Sequence, residues 1–443
     1  MDLHCSACPR PVAAGPAARP RIFVDCTQTL ACRELRGIPR VVRGIVRHGR
    51  RRARLHGVEL VPIRFEAGRF VRVDAAPDDS LPPHAAASRP TARWRIARRM
   101  GRLAARARGW LGRGGPEPVA FGPHDVLLLP DSSWRVDFWG AIDAARALGV
   151  ALGVVQHDFI PLRHPHLVSA GCARAFSTWM HETLSRADFV LAVSETVAAE
   201  ARAALADLGR PFIAERCVTS FRNGADFGPG TSPGPIRPAL ARFLAAGARP
   251  YLTVGTVERR KNQGALAPVI ARVAAAAPEA RFLIAGAVGA RGEAELEPLR
   301  RLGGWGRTVV HVADLDDAEI DAAYRGAQAL VFPSLAEGYG LPIVEALARG
   351  TRVFASDIPV HREIGREWCA YFDPHDPARL AALLVDCTLR NAHPARWPAV
   401  GFEPPTWDAA AGEIVAAALR HARRRPGAAA APPQVPRPWA RAA

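Results

Sequence analysis

The chain has 443 residues, 49% of them hydrophobic and 23% charged, which is more core than one domain uses and excludes a disordered chain. Its formal net charge of +17 is uneven: residues 1–120 carry +15, residues 420–443 carry +6, and the remainder carries −4. A basic channel through the whole molecule, as in a general nucleic-acid binder, is thereby excluded.

Residues 1–20 are rich in Pro and Ala and read as a disordered lead. They lack the apolar stretch of a secretory signal, so the eight cysteines are expected as free thiols in a reducing compartment. Cys5 and Cys8 give half of a zinc pattern with no second pair after it, and no metal is expected. Residues 21–25 predict a first strand ending at Asp25. Residues 33–54 predict a basic helix with Val41, Val42, Ile45 and Val46 on one side, and residues 58–63 a second strand.

A basic insertion spans about 74–120. Within it Ile96, Met100, Leu103, Ala107 and Trp110 form one helical stripe over 91–113, flanked by Arg95, Arg99, Arg102 and Arg106. Two readings stay open for that helix: packing on its own domain, or lying on an anionic lipid surface. No run approaches the length of a membrane span.

From residue 126 strands and helices alternate: strands at 126–129, 150–156 and 189–193, helices at 141–147 and 176–185. The Gly- and Pro-dense stretch 228–238 marks a domain boundary. Beyond it the pattern restarts, with strands at 251–254, 281–285, 309–312, 329–332 and 352–355 and helices at 263–276, 317–326 and 342–349. Such alternation predicts an α/β chain of two Rossmann-like, doubly wound domains. The first spans 21–235 and the second 236–400. A helix at 401–422 is expected to return to the first domain, and 423–443 reads as a disordered tail.

Two segments carry the chemistry. In Phe332-Pro-Ser-Leu-Ala-Glu337-Gly338-Tyr339-Gly340-Leu341-Pro342-Ile-Val-Glu345 a strand ends, a glycine loop follows and a helix opens. Such a loop brings backbone N–H groups to an anion, and two carboxylates eight residues apart suit sugar hydroxyls. In Gly255-Thr256-Val-Glu-Arg-Arg260-Lys261-Asn262 two adjacent cations follow a glycine at a strand's carboxyl end, which suits a diphosphate. Of the 59 basic residues, 58 are Arg and Lys261 is the one Lys; a position that keeps Lys against that bias needs a compact ammonium. Asp314-Leu315-Asp316 resembles a metal-binding D-x-D, but before a helix Asp316 reads as its cap.

These segments resemble the signature of retaining glycosyltransferase family 4, the group 1, mannosyltransferase-like enzymes of GT-B architecture. The first matches the family's E-x7-E stretch and the second its G-T-x-E-x-R-K-N stretch. Further matches are Gln156 to Leu162, Val193 to Glu195, Asn223 to Asp226, and Val360 to Gly365 followed by Tyr371 to Pro374. The resemblance implies that Arg260 and Lys261 hold the donor diphosphate, with Gly255 and Thr256 beside it, and that Glu345 binds the ribose. Glu337 and the N–H groups of Gly338, Tyr339, Gly340 and Leu341 would hold the transferred sugar and the distal phosphate. His157 would face that sugar across the cleft, and Gly37 would lie over the phosphates. Pro39 departs from the family's second glycine there, which leaves Gly37 and Arg40 as candidates.

The implied activity is retaining transfer of a hexose, mannose by overall resemblance, from a nucleotide sugar (GDP-mannose, or a UDP- or dTDP-sugar). The acceptor is a saccharide or lipid-linked saccharide of cell-surface polysaccharide synthesis, such as lipopolysaccharide. No cofactor is expected, and the cations rather than a metal would neutralise the diphosphate. The expected place is the cytoplasm, at the inner face of the plasma membrane. Competing readings are a nucleotide-sugar epimerase of the same fold, for which no extra acid/base pair is evident, and a basic nucleic-acid binder, for which aromatic interleaving is slight.

Overall fold

The computed structural model describes residues 19–32, 37–74, 76, 78–82, 117–226, 236–395 and 401–422. The helix expected over 91–113, Cys5 and Cys8, the tail, and most of the Gly- and Pro-rich boundary lie outside the described residues.

β1 (Arg21–Asp25), β2 (Glu59–Glu66), β3 (Arg69–Arg72), β4 (Val126–Leu129), β5 (Ala151–Gln156), β6 (Phe189–Ala192) and β7 (Val218–Ser220) form one sheet in the order β3-β2-β1-β4-β5-β6-β7. β3 is antiparallel to β2, and the other pairs are parallel. β8 (Tyr251–Val254), β9 (Phe282–Ala285), β10 (Val309–Val312), β11 (Ala329–Phe332), β12 (Arg352–Ser356) and β13 (Cys369–Phe372) form a second, all-parallel sheet in the order β10-β9-β8-β11-β12-β13. The central strands are near-continuous apolar runs buried along their length, such as Val-Leu-Leu-Leu in β4, because helices cover both faces of a parallel sheet. In each sheet the chain winds outward one way, returns beside its first strand and winds the other way. The reversal falls between β1 and β4 in the first sheet and between β8 and β11 in the second. Those two points place the ligand crevice.

The helices that position the site are α1 (Thr27–Ala31), α2 (Ile38–Leu55), α3 (Trp139–Ala147), α4 (Ala170–Arg186), α5 (Glu195–Asp207), α6 (Leu266–Ala276), α7 (Asp317–Gly326), α8 (Leu341–Leu347), α9 (Pro359–Gly365), α10 (Pro377–Arg390) and α11 (Trp407–Ala422). The basic helix expected over 33–54 opens only at Ile38, because Gly37 takes a positive φ of 65° as its N-cap; Val41, Val42, Ile45 and Val46 are buried as predicted. The helix expected at 176–185 begins earlier, at Ala170, since the Ser169 hydroxyl accepts from the Cys172 N–H and caps it. The helix expected from 263 starts as a 3-10 turn, and α6 begins at Leu266, because Asn262 turns left-handed at φ 57°. Asp316 caps α7 in a capping box with Glu319, and Arg237 bonds Asp314.

The positive charge of α2 is largely met inside the protein. Arg50 and Arg54 pair with Asp79, Arg47 with Asp78, and Arg51 and Arg52 with Asp408 of α11. No helix among the described residues is long and apolar enough to cross a membrane.

α11 leaves the second domain and packs on α2, β4 and β5 of the first. The Trp407 N–H donates to Asp226 at 2.8 Å, and the Ala225 N–H to the Pro405 carbonyl at 2.7 Å. The Trp407 ring lies so near α2 that a Cβ at Gly44 would stand 2.6 Å from it. Substitution of Gly44 by Leu should destabilise the protein by about 2 kcal/mol through overpacking against that buried ring, read as a lower urea midpoint at unchanged slope.

Candidate active site

The loop after β8 turns at Gly255, φ 140°, whose missing side chain leaves room for the Lys261 stem; a Cβ there would lie 3.3 Å from Lys261 Cε. A 3-10 turn, Arg259–Lys261, then aims both cations across the switch point at the loop after β11. Arg260 Nη1 donates to Glu337 Oε2 at 3.0 Å, and Lys261 Nζ donates to Glu337 Oε1. Arg260 Nε also meets Glu258 Oε1 at 2.7 Å. Lys261 Nζ lies 4.7 Å above the Phe332 ring. Two further bonds tie the loops: the Leu335 N–H to the Arg260 carbonyl at 2.8 Å, and the Asn262 side-chain Nδ2 to the Pro333 carbonyl at 3.3 Å.

Burial alone would push the Glu337 carboxyl up. The charges of Lys261 and Arg260 outweigh it and hold the group at about 2. Burial lowers Lys261, and the Glu337 charge opposes that shift without cancelling it. Arg260 is raised despite burial, by Glu337, Glu258 and Asp158.

Glu345 stands apart from this cluster. Its Oε2 accepts from the Tyr324 hydroxyl at 2.8 Å, and its Oε1 meets Arg40 Nη1 of the first domain at 2.9 Å. The two acids and two cations of the motifs therefore do not form one contact set: Glu337 gathers both cations, while Glu345 is held by Tyr324 and Arg40.

The glycine loop also differs from a purely ligand-facing cradle. A Cβ on Gly338 would stand 1.7 Å from the His157 carbonyl oxygen, so Gly338 is demanded by the close approach of the facing domain. The Ser194 hydroxyl donates to the Gly338 carbonyl at 2.8 Å, and the Tyr339 hydroxyl to the Asn223 carbonyl at 3.1 Å. Gly340, φ 100°, N-caps α8, with Leu341 as its first residue. Gly37 has open space around it. The Thr256 carbonyl accepts from Gln263 Nε2 at 3.1 Å.

His157, half-buried at the end of β5, bonds through Nε2 to the Pro130 carbonyl at 2.7 Å; Nε2 is thus the protonated nitrogen, and burial lowers the ring's pKa. Sequence reasoning gave a role to His157 but not to its neighbours. Asp158, whose carboxyl burial raises and Arg260 opposes, lies within the charge field of the cluster. Asp25 and Asp131, at the carboxyl ends of β1 and β4, are both buried, and burial raises both. Asp25 accepts from Thr27 and Ser133, Asp131 from Thr29 and Ser132. His361 of α9 leans on Phe332 and donates Nδ1–H to the Ser356 carbonyl at 3.0 Å. Its buried Nε2 has no hydrogen-bond partner among the described residues, and its pKa is lowered to about 4, by burial first. The signal for Asp25 and Asp131 was an Asp closing each of two apolar strands. Among the described residues no group of three His, Cys, Asp or Glu is placed to hold a metal ion.

Residues 244–397 match the family described as glycosyl transferases group 1. The serotype-specific mannosyltransferase WbdA of Escherichia coli is 30% identical over 292 residues, 63% of this chain and 36% of that protein, so the chain spans about a third of its length. Among solved structures, sucrose-phosphate synthase of Thermosynechococcus elongatus superposes with a TM-score of 0.54 at 18% identity, covering 91% of this chain and 94% of that one. HepE of Anabaena in complex with UDP-glucose does so at 0.55 and 15%, covering 91% and 98%. At such identities the structures establish the fold, two GT-B domains facing a cleft.

Glu337 is depressed below the ordinary carboxyl value of 4.5. Its share of stability is therefore whole above that value and is lost as pH falls towards 2. Urea unfolding at about pH 5 and about pH 3 should show wild type losing more stability than Glu337→Gln, which has no carboxyl to protonate there. Equal losses would show that the two ion pairs contribute nothing to the folded state.

Proposed function

Starting from a chain whose residues 244–397 match the group 1 glycosyltransferases, we propose that it transfers a hexosyl group, mannose, from a nucleotide sugar to a saccharide or lipid-linked saccharide acceptor, with retention. The observation that carries this reading is the Glu337 carboxylate between Arg260 and Lys261 at the switch point of the second sheet, with His157 opposite. The mannosyltransferase name of the relatives supports the choice of sugar.

Without donor the charges are balanced: Glu258 and Glu337 against Arg260 and Lys261. A diphosphate therefore arrives by exchange. Glu258 is the more exposed acid, at 29% against 9% for Glu337, and Arg260 the more exposed cation, at 26% against 10% for Lys261. Arg260 swings from Glu258 to the phosphates, while Lys261 stays on Glu337 and orients it towards the sugar hydroxyls. As the bond to the sugar breaks, both cations stabilise the charge growing on the leaving diphosphate. Gly255 and Thr256 lie beside the phosphates, and the N–H groups of Gly340 and Leu341 face the distal one. The ribose takes the Glu345 carboxylate from Arg40, which is freed towards the phosphates beside Gly37. The leaving phosphate helps deprotonate the acceptor, and the imidazole of His157, neutral at physiological pH, borders the sugar.

Two cations do the work a metal does elsewhere, so the reaction needs none. The reading puts the protein in the cytoplasm, at the inner face of the membrane carrying lipid-linked acceptors, in cell-surface polysaccharide synthesis.

Turnover of GDP-mannose should survive a chelator and should fall about a hundredfold or more in Lys261→Ala and in Glu337→Ala. Undiminished turnover in both folded variants would sink the assignment.

A further inference from the structure

The strand order of the second sheet lays out a row. Along its carboxyl edge from β8 to β11 come Arg260 and Lys261, then Glu337; next, at the ends of β11, β12 and β13, a cavity of about 440 Å³ opens. Leu335, two residues before Glu337, forms its near wall, and Ile358, Asp357 and Asp373 its far one. His164 and His166 close it from the first domain, in the loop that follows His157. If the cations hold the diphosphate and Glu337 the transferred sugar, the next position in the row belongs to whatever receives that sugar.

The lining fits one chemistry. Leu335 and Ile358, on facing walls, offer apolar surface for the C–H faces of a pyranose. Asp373 spends Oδ1 on the His375 N–H at 2.8 Å, and Asp357 is forked by Arg362, with Nη2 at 2.6 Å. Both carboxylates are exposed and keep lone pairs for hydroxyl donors. The His164 and His166 rings stand edge to face with centroids 6.0 Å apart, each with a ring nitrogen to offer. Burial, His166 and Arg163 all disfavour the charged form of His164. Two carboxylates beside His164, whose charged form is disfavoured, repel a phosphate and accept from uncharged hydroxyls. The volume lies within the ordinary range of ligand pockets, roughly 300–1,000 Å³.

We infer that this cavity, in a chain that acts as a glycosyltransferase, holds a neutral pyranose of the acceptor next to the sugar that is extended. Asp373 and His166 are its specificity contacts.

The test uses the whole chain, saturated with a nucleoside diphosphate, and a panel of neutral hexose disaccharides followed by saturation-transfer NMR. At least one disaccharide should bind wild type. Its dissociation constant should rise about tenfold in Asp373→Asn and in His166→Ala, while nucleotide affinity changes less than about twofold. Both side chains are exposed, so the thermal midpoint should hold. Unchanged disaccharide affinity in the two variants, or a wild type that binds nucleotide and no disaccharide, overturns the inference. A wild type that binds no nucleotide or nucleotide sugar overturns the transferase reading instead.

Discussion

Everything at the centre of the molecule hangs on one carboxylate. A buried glutamate is tolerated only when opposite charge and hydrogen bonds replace the water it gives up. Glu337 has both from Arg260 and Lys261, and the requirement works in two directions. It fixes the loop after β11 against the loop after β8, where the Leu335 N–H and the Asn262 side-chain amide add ties to backbone carbonyls. It also explains why one lysine stands in a chain otherwise built with arginine. The ammonium fits between the Glu337 oxygen and the face of Phe332, against a glycine that leaves space only for the slender stem.

Much of this was readable before any coordinates. Strands such as Val126–Leu129, Tyr251–Val254 and Ala329–Phe332 are short apolar runs bounded by Gly, Pro or charge, and a fully buried parallel strand has no other signature. The two motifs lie at strand ends whose adjacency follows from the doubly wound pattern. Helix starts were less legible, because they depend on one capping hydroxyl at Ser169 or one left-handed residue at Asn262. Partners distant in sequence were not legible at all. Arg40 and Glu345 are 305 positions apart, and nothing local to either announces the other. Gly338 looked like a phosphate cradle by type; only the position of the His157 carbonyl reveals what it is small for.

The halves of the cleft are joined by contacts of unlike character. Glu363 of α9 accepts from the Glu195 and Thr196 N–H groups at 2.7 and 2.8 Å, placing a carboxylate from one domain at the amino end of a helix in the other. Ser194 holds Gly338, Tyr339 holds Asn223, and Arg349 Nη1 reaches the Ala225 carbonyl at 3.3 Å. These bonds are short-ranged and polar, so water replaces them cheaply when the halves part. Apolar contact across the cleft is local, as where Ile160 and Leu167 of the first domain pack with Ala336 of the second. Such an interface suits domains that open to exchange ligands and close again.

The return of the last helix to the first domain has a different reach. Trp407 and Asp226 are separated by 181 positions, with the second domain strung between them. A ribosome making this chain finishes α2, β4 and β5 long before it makes the helix that covers them, so part of their apolar surface waits uncovered while the second domain is synthesised. Of these two domains the first to emerge is thus the last to be completed, and its maturation waits on a helix encoded after the second.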